Sequence, residues 1–136
     1  MVEVELSRIV IDETSDEQII VLKEKNGTRA LTIVIGIFEA LAINRIVNER
    51  TLARPLTHEL LISMLNTLGA KIVRCLVSDL KDNTYFAILT LERGEETFEV
   101  DARPSDAITL SLHAKADIFV DENVMNLAAK DEGKVV

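Results

Sequence analysis

Tryptophan is absent from this 136-residue chain, tyrosine occurs once and phenylalanine four times. So few aromatics exclude an extended platform on which successive single-stranded bases would stack. Cysteine also occurs once, at Cys75, so no internal disulfide can form, and a reducing compartment such as the cytoplasm suits the chain. Cys75 lies in the apolar run Ile72-Val73-Arg74-Cys75-Leu76-Val77, with nothing nearby in sequence to lower its pKa, and reads as a small buried strand residue. Cations are in deficit. Fifteen Lys and Arg against 23 Asp and Glu leave a net charge of -8, which favours solubility and opposes nonspecific attraction to phosphate backbones. Long hydrophobic runs are missing too: the longest, Leu31 to Ile43, is interrupted by Thr32, Gly36 and Glu39, whereas a bilayer span takes about 20 residues. The start, Met1-Val2-Glu3-Val4-Glu5-Leu6, alternates apolar and acidic residues and has no signal-peptide pattern. Glycine-rich phosphate loops, a G-x-S-x-G elbow and Cys/His sets with zinc spacing do not occur.

What is present is periodicity. Period-two alternation predicts a strand over 2–12, then a hairpin of strands 17–24 and 29–35 around Asn26-Gly27, a strong turn signal. Helical spacing predicts a helix from Ile37 to about Asn48 and a second from about Thr57 to Leu68, with Gly69 ending it. Strands follow over 70–79, 84–93 and 96–102. Pro104 then opens a third helix to about Lys115, a short strand covers 118–120, and a last helix covers 122–129. The fold expected is α+β, a mixed and largely antiparallel sheet with about four helices in one domain over residues 1–130, followed by a frayed tail over 131–136.

Sliding the chain by 67 residues superimposes landmarks: Asp12 on Asp79, Leu22 on Leu89, Gly27 on Gly94, Leu60 on Leu127, and Glu39-Ala40-Leu41 on Asp106-Ala107-Ile108. Such self-similarity suggests an internal duplication of a strand, hairpin and two-helix unit. It predicts that Gly27 and Gly94 occupy equivalent turns and that Glu39 and Asp106 sit at like places in their helices.

Two polar clusters flank predicted helix starts. In Arg54-Pro55-Leu56-Thr57-His58-Glu59, Thr57 suits a helix cap and Glu59 the positive helix end. In Asp101-Ala102-Arg103-Pro104-Ser105-Asp106, Pro104 suits the first helical position and Asp106 the first turn. Glu39 interrupts an apolar stretch, and an unpaired buried carboxylate is costly, so it calls for an Arg, a backbone amine group or a metal. Asp106 and Asp101 make the same demand more weakly, with Arg54 and Arg103 as partners. His58-Glu59 begins like a zinc-protease helix, but no second His follows one turn later; His113 lies on a different helix, seven positions after Asp106. Arg45, Arg50 and Arg54 form the one basic island.

With these segments in view, the chain resembles the bifunctional nuclease family. The resemblance rests on Ile35-Gly36-Ile37-Phe38-Glu39-Ala40-Leu41-Ala42-Ile43, Arg54-Pro55-Leu56-Thr57-His58-Glu59-Leu60-Leu61, Tyr85-Phe86-Ala87 and Asp101-Ala102-Arg103-Pro104-Ser105-Asp106-Ala107-Ile108. Glu59 stands where the family usually has Asp, and Thr109 and Ser111 stand where it favours Ala. The resemblance implies an α+β fold, a homo-oligomer, and cleavage of DNA and RNA without sequence preference. Two hypotheses follow. In the first, a nuclease, Glu39, Asp101 and Asp106 bind Mg²⁺ or Mn²⁺, His58 or Glu59 moves protons, and Arg103 and Arg54 hold the phosphate. In the second, a noncatalytic oligomeric binding or regulatory module, the same residues cap helices and form ion pairs. A hydrophobic content of 48% with a mean hydropathy of +0.20 also favours a partner-covered surface and hence a homo-oligomer. The nuclease hypothesis requires Glu39, Arg54, His58, Asp101, Arg103 and Asp106 to converge in one pocket.

Overall fold

The structure is a computed structural model that describes residues 1–51 and 53–131. Its strands are β1 (Val2–Val10), β2 (Gln18–Glu24), β3 (Arg29–Ile35), β4 (Lys71–Lys81), β5 (Thr84–Arg93), β6 (Glu96–Ala102), β7 (Asp117–Val120) and β8 (Lys130–Asp131). The helices are α1 (Ile37–Val47), α2 (Thr57–Thr67), α3 (Pro104–Ala114) and α4 (Glu122–Ala128). All eight strands form one sheet in the order β6-β5-β4-β7-β1-β2-β3-β8. Only the β4–β7 pair is parallel, so the sheet is mixed and largely antiparallel as expected.

The alternation read from sequence selects which side chains meet the helices. Ile20, Leu22, Leu31 and Ile33 of β2 and β3, Cys75 and Val77 of β4, Ala87 and Leu89 of β5, and Ile118 and Val120 of β7 are buried in one cluster. Ala40 and Ile43 of α1, Ala107 and Ile108 of α3, and Val124 and Met125 of α4 fill it from the helical side. Each large aliphatic side chain so removed from water contributes about 1.5–3 kcal/mol. α2 packs against α3 and has no fully buried residue; only Ile62 and Leu65 reach the core edge.

The sheet curls. The Tyr85 hydroxyl at the start of β5 lies 3.5 Å from the Thr32 carbonyl of β3, although four strands separate β5 from β3 in the sheet order. This curl brings the β3–α1 junction to the β6–α3 junction.

The suggested duplication holds for element bounds and fails at the turns. β3 and α1 (29–35, 37–47) recur as β6 and α3 (96–102, 104–114) at an offset of 67, and Glu39 and Asp106 are both the third residue of their helices. The meanders β1-β2-β3 and β4-β5-β6 run outward on either side of β7, with β1 and β4 antiparallel, which is the topology of an approximate two-fold. Gly94, however, has φ 62 in a two-residue connection, whereas Gly27 lies in a four-residue connection and is not among the positive-φ residues. The Glu24 carboxylate closes that longer loop by accepting the Arg29 backbone N–H at 3.0 Å and its guanidinium at 2.7 Å. A Cβ on Gly27 would strike this carboxylate, so within the expected hairpin the glycine serves a close approach, unlike Gly94 in its positive-φ turn. Leu60 and Leu127 also occupy unlike helix positions, and β7 has no counterpart in the first half.

Of the expected tail, Asp131 instead pairs with Arg29 in β8, and 132–136 lie outside the described residues. Among the described residues no helix is long and apolar enough to cross a membrane.

Candidate functional site

Two strand-to-helix junctions build the site. At the first, Gly36 is the extended N-cap of α1 and Glu39 sits in the first turn, folded back so that a Cβ on Gly36 would collide with its carboxylate. At the second, Arg103 is the extended N-cap of α3, Pro104 holds the first helical position as expected, and Asp106 sits in the first turn. Neither helix start has a side-chain cap, so these carboxylates are the groups that meet the positive helix ends. α2 supplies the third element. Its N-cap is Leu56 and not the expected Thr57, which is the first helical residue; His58 follows.

Arg103 ties the junctions together. Its Nε donates to Asp106 Oδ2 at 2.9 Å and its Nη2 to Glu39 Oε1 at 3.2 Å. On the other side of the carboxylate, His58 Nε2 lies 3.0 Å from Asp106 Oδ1. Glu39 and His58 side chains are only 17% and 16% exposed, whereas Arg103 is 66% exposed. Burial works to raise the Asp106 pKa, but hydrogen bonds and charge from Arg103 and His58 outweigh it and hold the carboxyl below its usual range. The same contacts, Asp106 foremost and then Glu39, raise the Arg103 pKa. An ionised Asp106 accepts from Nε2–H of His58, which leaves Nδ1 as the ring's proton acceptor.

Glu39, His58, Arg103 and Asp106 therefore come together. Asp101 sits on β6 opposite Ile88, exposed, and Arg54 is exposed in the α1–α2 connection; neither has a hydrogen bond or ion pair to the cluster among the described residues. Glu59 lines a different cleft, with Arg45 and Arg50, and His113 lies there too, away from Asp106. The three expected metal ligands do not gather: the Arg103 guanidinium takes the position between Glu39 and Asp106. Among the described residues no group of three or more His, Cys, Asp or Glu is arranged to hold a metal ion.

Beside the cluster opens a cleft of about 440 Å³, lined by Arg103 and Ser105, Thr32 and Gly36, and Thr84 and Tyr85. Tyr85 belongs to a segment singled out from sequence for its resemblance alone. Its place at the site follows from the sheet's curl, which has no local signal.

A family model described as the bifunctional nuclease domain matches residues 20–132. The chain belongs to the bifunctional nuclease domain family. That match spans all four clustered residues and the lining of the neighbouring cleft apart from Asp16. Two uncharacterized proteins of Mycobacterium tuberculosis, MT1877 of strain CDC 1551 / Oshkosh and Rv1829 of strain ATCC 25618 / H37Rv, are each 34% identical over 125 residues. In both cases the likeness covers 92% of this chain and 74% of the relative. The bifunctional nuclease domain implies a nucleic acid as the class of substrate.

Proposed function

We propose that the protein is a sequence-nonspecific nuclease that hydrolyses phosphodiesters of DNA and RNA. The observation that carries this reading is one carboxylate, Asp106, holding a histidine on one oxygen and an arginine on the other, with Arg103 lining an open cleft and His58 lining the groove between α1 and α2. His58 Nδ1 accepts the proton of an attacking water as its oxygen bonds to phosphorus, and solvent protonates the ester oxygen that leaves. Arg103 meets the phosphate oxygens: its Nη1 carries no hydrogen bond among the described residues, and the side chain is mostly exposed. Glu39 braces Arg103 from the far side. Glu59, Arg54 and Asp101 stand outside this chemistry.

The expected Mg²⁺ or Mn²⁺ suits carboxylate oxygens in kind. It does not fit the arrangement of these residues, because Arg103 already neutralises Glu39 and Asp106, and among the described residues no third carboxylate or histidine completes a metal-holding group with them. A homo-oligomer belongs to the same proposal: Leu60 and Met64 of α2 and Leu68 at its C-cap recur at helical spacing and are all exposed, which supports a second copy covering them.

Cleavage of labelled single-stranded RNA and DNA by the purified protein, with and without EDTA, tests the reading against the noncatalytic module. Turnover that His58→Ala and Arg103→Ala each abolish supports it. Absence of turnover under both conditions, with folded protein, leaves the binding module as the function. Loss of turnover in EDTA would restore metal to the mechanism.

A further inference from the structure

A second cleft, of about 660 Å³, opens between α1, α2 and the C-terminal end of α3, and Arg45, Arg50, His113 and Lys115 line it with Glu49 and Glu59. Among the described residues Arg45, Arg50 and Lys115 form no ion pair, although the chain carries eight more acidic than basic side chains. The Arg45 Nε is sealed from solvent without a hydrogen-bond partner. Helix C-termini attract cations, which accounts for Arg45 and Lys115 singly. It does not account for three unpaired cations in one concavity.

Arg45 lines a further groove, between α1 and α2, and there its companions are Phe38, Glu39, Leu56 and His58. Arg45 thus stands between the groove beside Glu39 and His58 and the basic cleft, and lines both. From Glu39 to Arg45 along α1 is about 9 Å at the helical rise, a span suited to adjoining nucleotides. Phe38 stands at the groove's cluster end and is 81% exposed, the most exposed large hydrophobic side chain on the described surface.

Building on the nuclease reading, we propose that this groove holds a single nucleic-acid strand on one side of the bond that is cut. Arg45, Arg50 and Lys115 contact successive phosphates, and Phe38 stacks the base next to the Arg103 cluster. The basic residues also answer how an acidic protein engages a polyanion: the attraction is confined to one groove while the net charge repels nucleic acid elsewhere.

Fluorescence anisotropy of a labelled phosphorothioate oligothymidine, which resists cleavage and keeps one charge per linkage, tests the proposal across a salt series. With Arg50→Ala and Lys115→Ala combined, the slope of log affinity against log salt falls by about 1.4, roughly 0.7 for each phosphate of a single strand that is no longer neutralised. That extrapolates to roughly 25-fold weaker binding near 0.1 M salt. Arg50→Lys with Lys115→Arg keeps the charges and the slope. Phe38→Ala weakens binding on the order of tenfold and leaves the slope unchanged, as stacking is not electrostatic. If wild-type protein cleaves or binds oligonucleotides but the Arg50→Ala/Lys115→Ala variant, folded by its melting curve, matches it in affinity and slope, the groove assignment is overturned and the nuclease reading stands. If wild-type protein binds no oligonucleotide at any salt concentration, both fall.

Discussion

Asp106→Asn is the perturbation that separates a catalytic dyad from a structural ion pair. Asparagine keeps the size and one acceptor oxygen. The Arg103 Nε–H, 2.9 Å away, is charged and claims that oxygen, so the new amide NH₂ faces His58 Nε2, 3.0 Å away. An NH₂ there requires a lone pair on Nε2, which moves the ring proton to Nδ1 and removes the acceptor that takes a proton from water. Loss of a general base costs about 10²–10⁴-fold in rate, or about 2.7–5.4 kcal/mol of transition-state stabilisation. The stability cost is much smaller. Charge-assisted hydrogen bonds to a buried carboxylate contribute about 1.5–3 kcal/mol, but Arg103 is mostly exposed and its share is screened, so about 1 kcal/mol is expected and a melting point lower by about 4 °C. pH checks the same pair. The folded-state pKa of Asp106 is depressed, so its contribution is complete above the ordinary aspartate value of about 3.8 and is lost as pH falls below it. The stability gap between wild type and variant therefore closes in acid. The assay is kcat on a quenched oligonucleotide beside a thermal melt of the same preparation. A folded variant with kcat within twofold of wild type would refute the assignment of His58 as base.

Three further expectations concern the rest of the chain. Burial pushes the Cys75 thiol up to about 12, against the smaller opposing effect of the Ser111 hydroxyl, so a thiol reagent labels it only at the rate of unfolding; prompt native-state labelling would show an accessible thiolate. Met125→Ala removes a fully buried side chain from α4 and costs about 2–5 kcal/mol in denaturant unfolding, whereas Leu127→Ala, exposed on the same helix, costs nearly nothing; equal losses would contradict the packing of α4. Leu60→Glu with Met64→Glu shifts the sedimenting species to a monomer if α2 carries the self-association surface; an unchanged sedimentation coefficient places that surface elsewhere.

Local signals account for most of what was legible in sequence. Strands over 29–35, 84–93 and 96–102 and the helix starts at Ile37, Thr57 and Pro104 were readable because hydrophobic period and the Pro104 punctuation act within a few residues. Thr57 was misplaced as a cap because cap position depends on where the chain enters the helix, and that entry is set by packing α2 on α3. The Asn26-Gly27 signal marks the hairpin between β2 and β3, and the Glu24 carboxylate folds across its loop to hold Arg29. At the site, Glu39 advertised its need for a partner by breaking an apolar run, and Arg103 meets that need. That His58 and Asp106 converge was expected from the chemistry a nuclease needs, but no local signal shows it: the contact bridges 48 residues and exists because α2 packs against α3. Phe38 looked like core sequence beside Ile37 and Ala40, and only the helix's orientation turns it to solvent.

Four residues, β7 alone, join the two meanders into one sheet. Each meander is made of neighbouring strands linked by short loops, contacts of low sequence separation that form quickly. β7 instead pairs with Val2–Val4 near one end of the chain, across more than a hundred residues, and with Arg74–Val77. That link is of high contact order, and a chain in which it is open leaves β1 and β4 as bare edges able to pair with the wrong chain. The β3–α1 and β6–α3 junctions belong to opposite meanders, so the Glu39–Arg103 contact crosses the same divide that β7 bridges in the sheet.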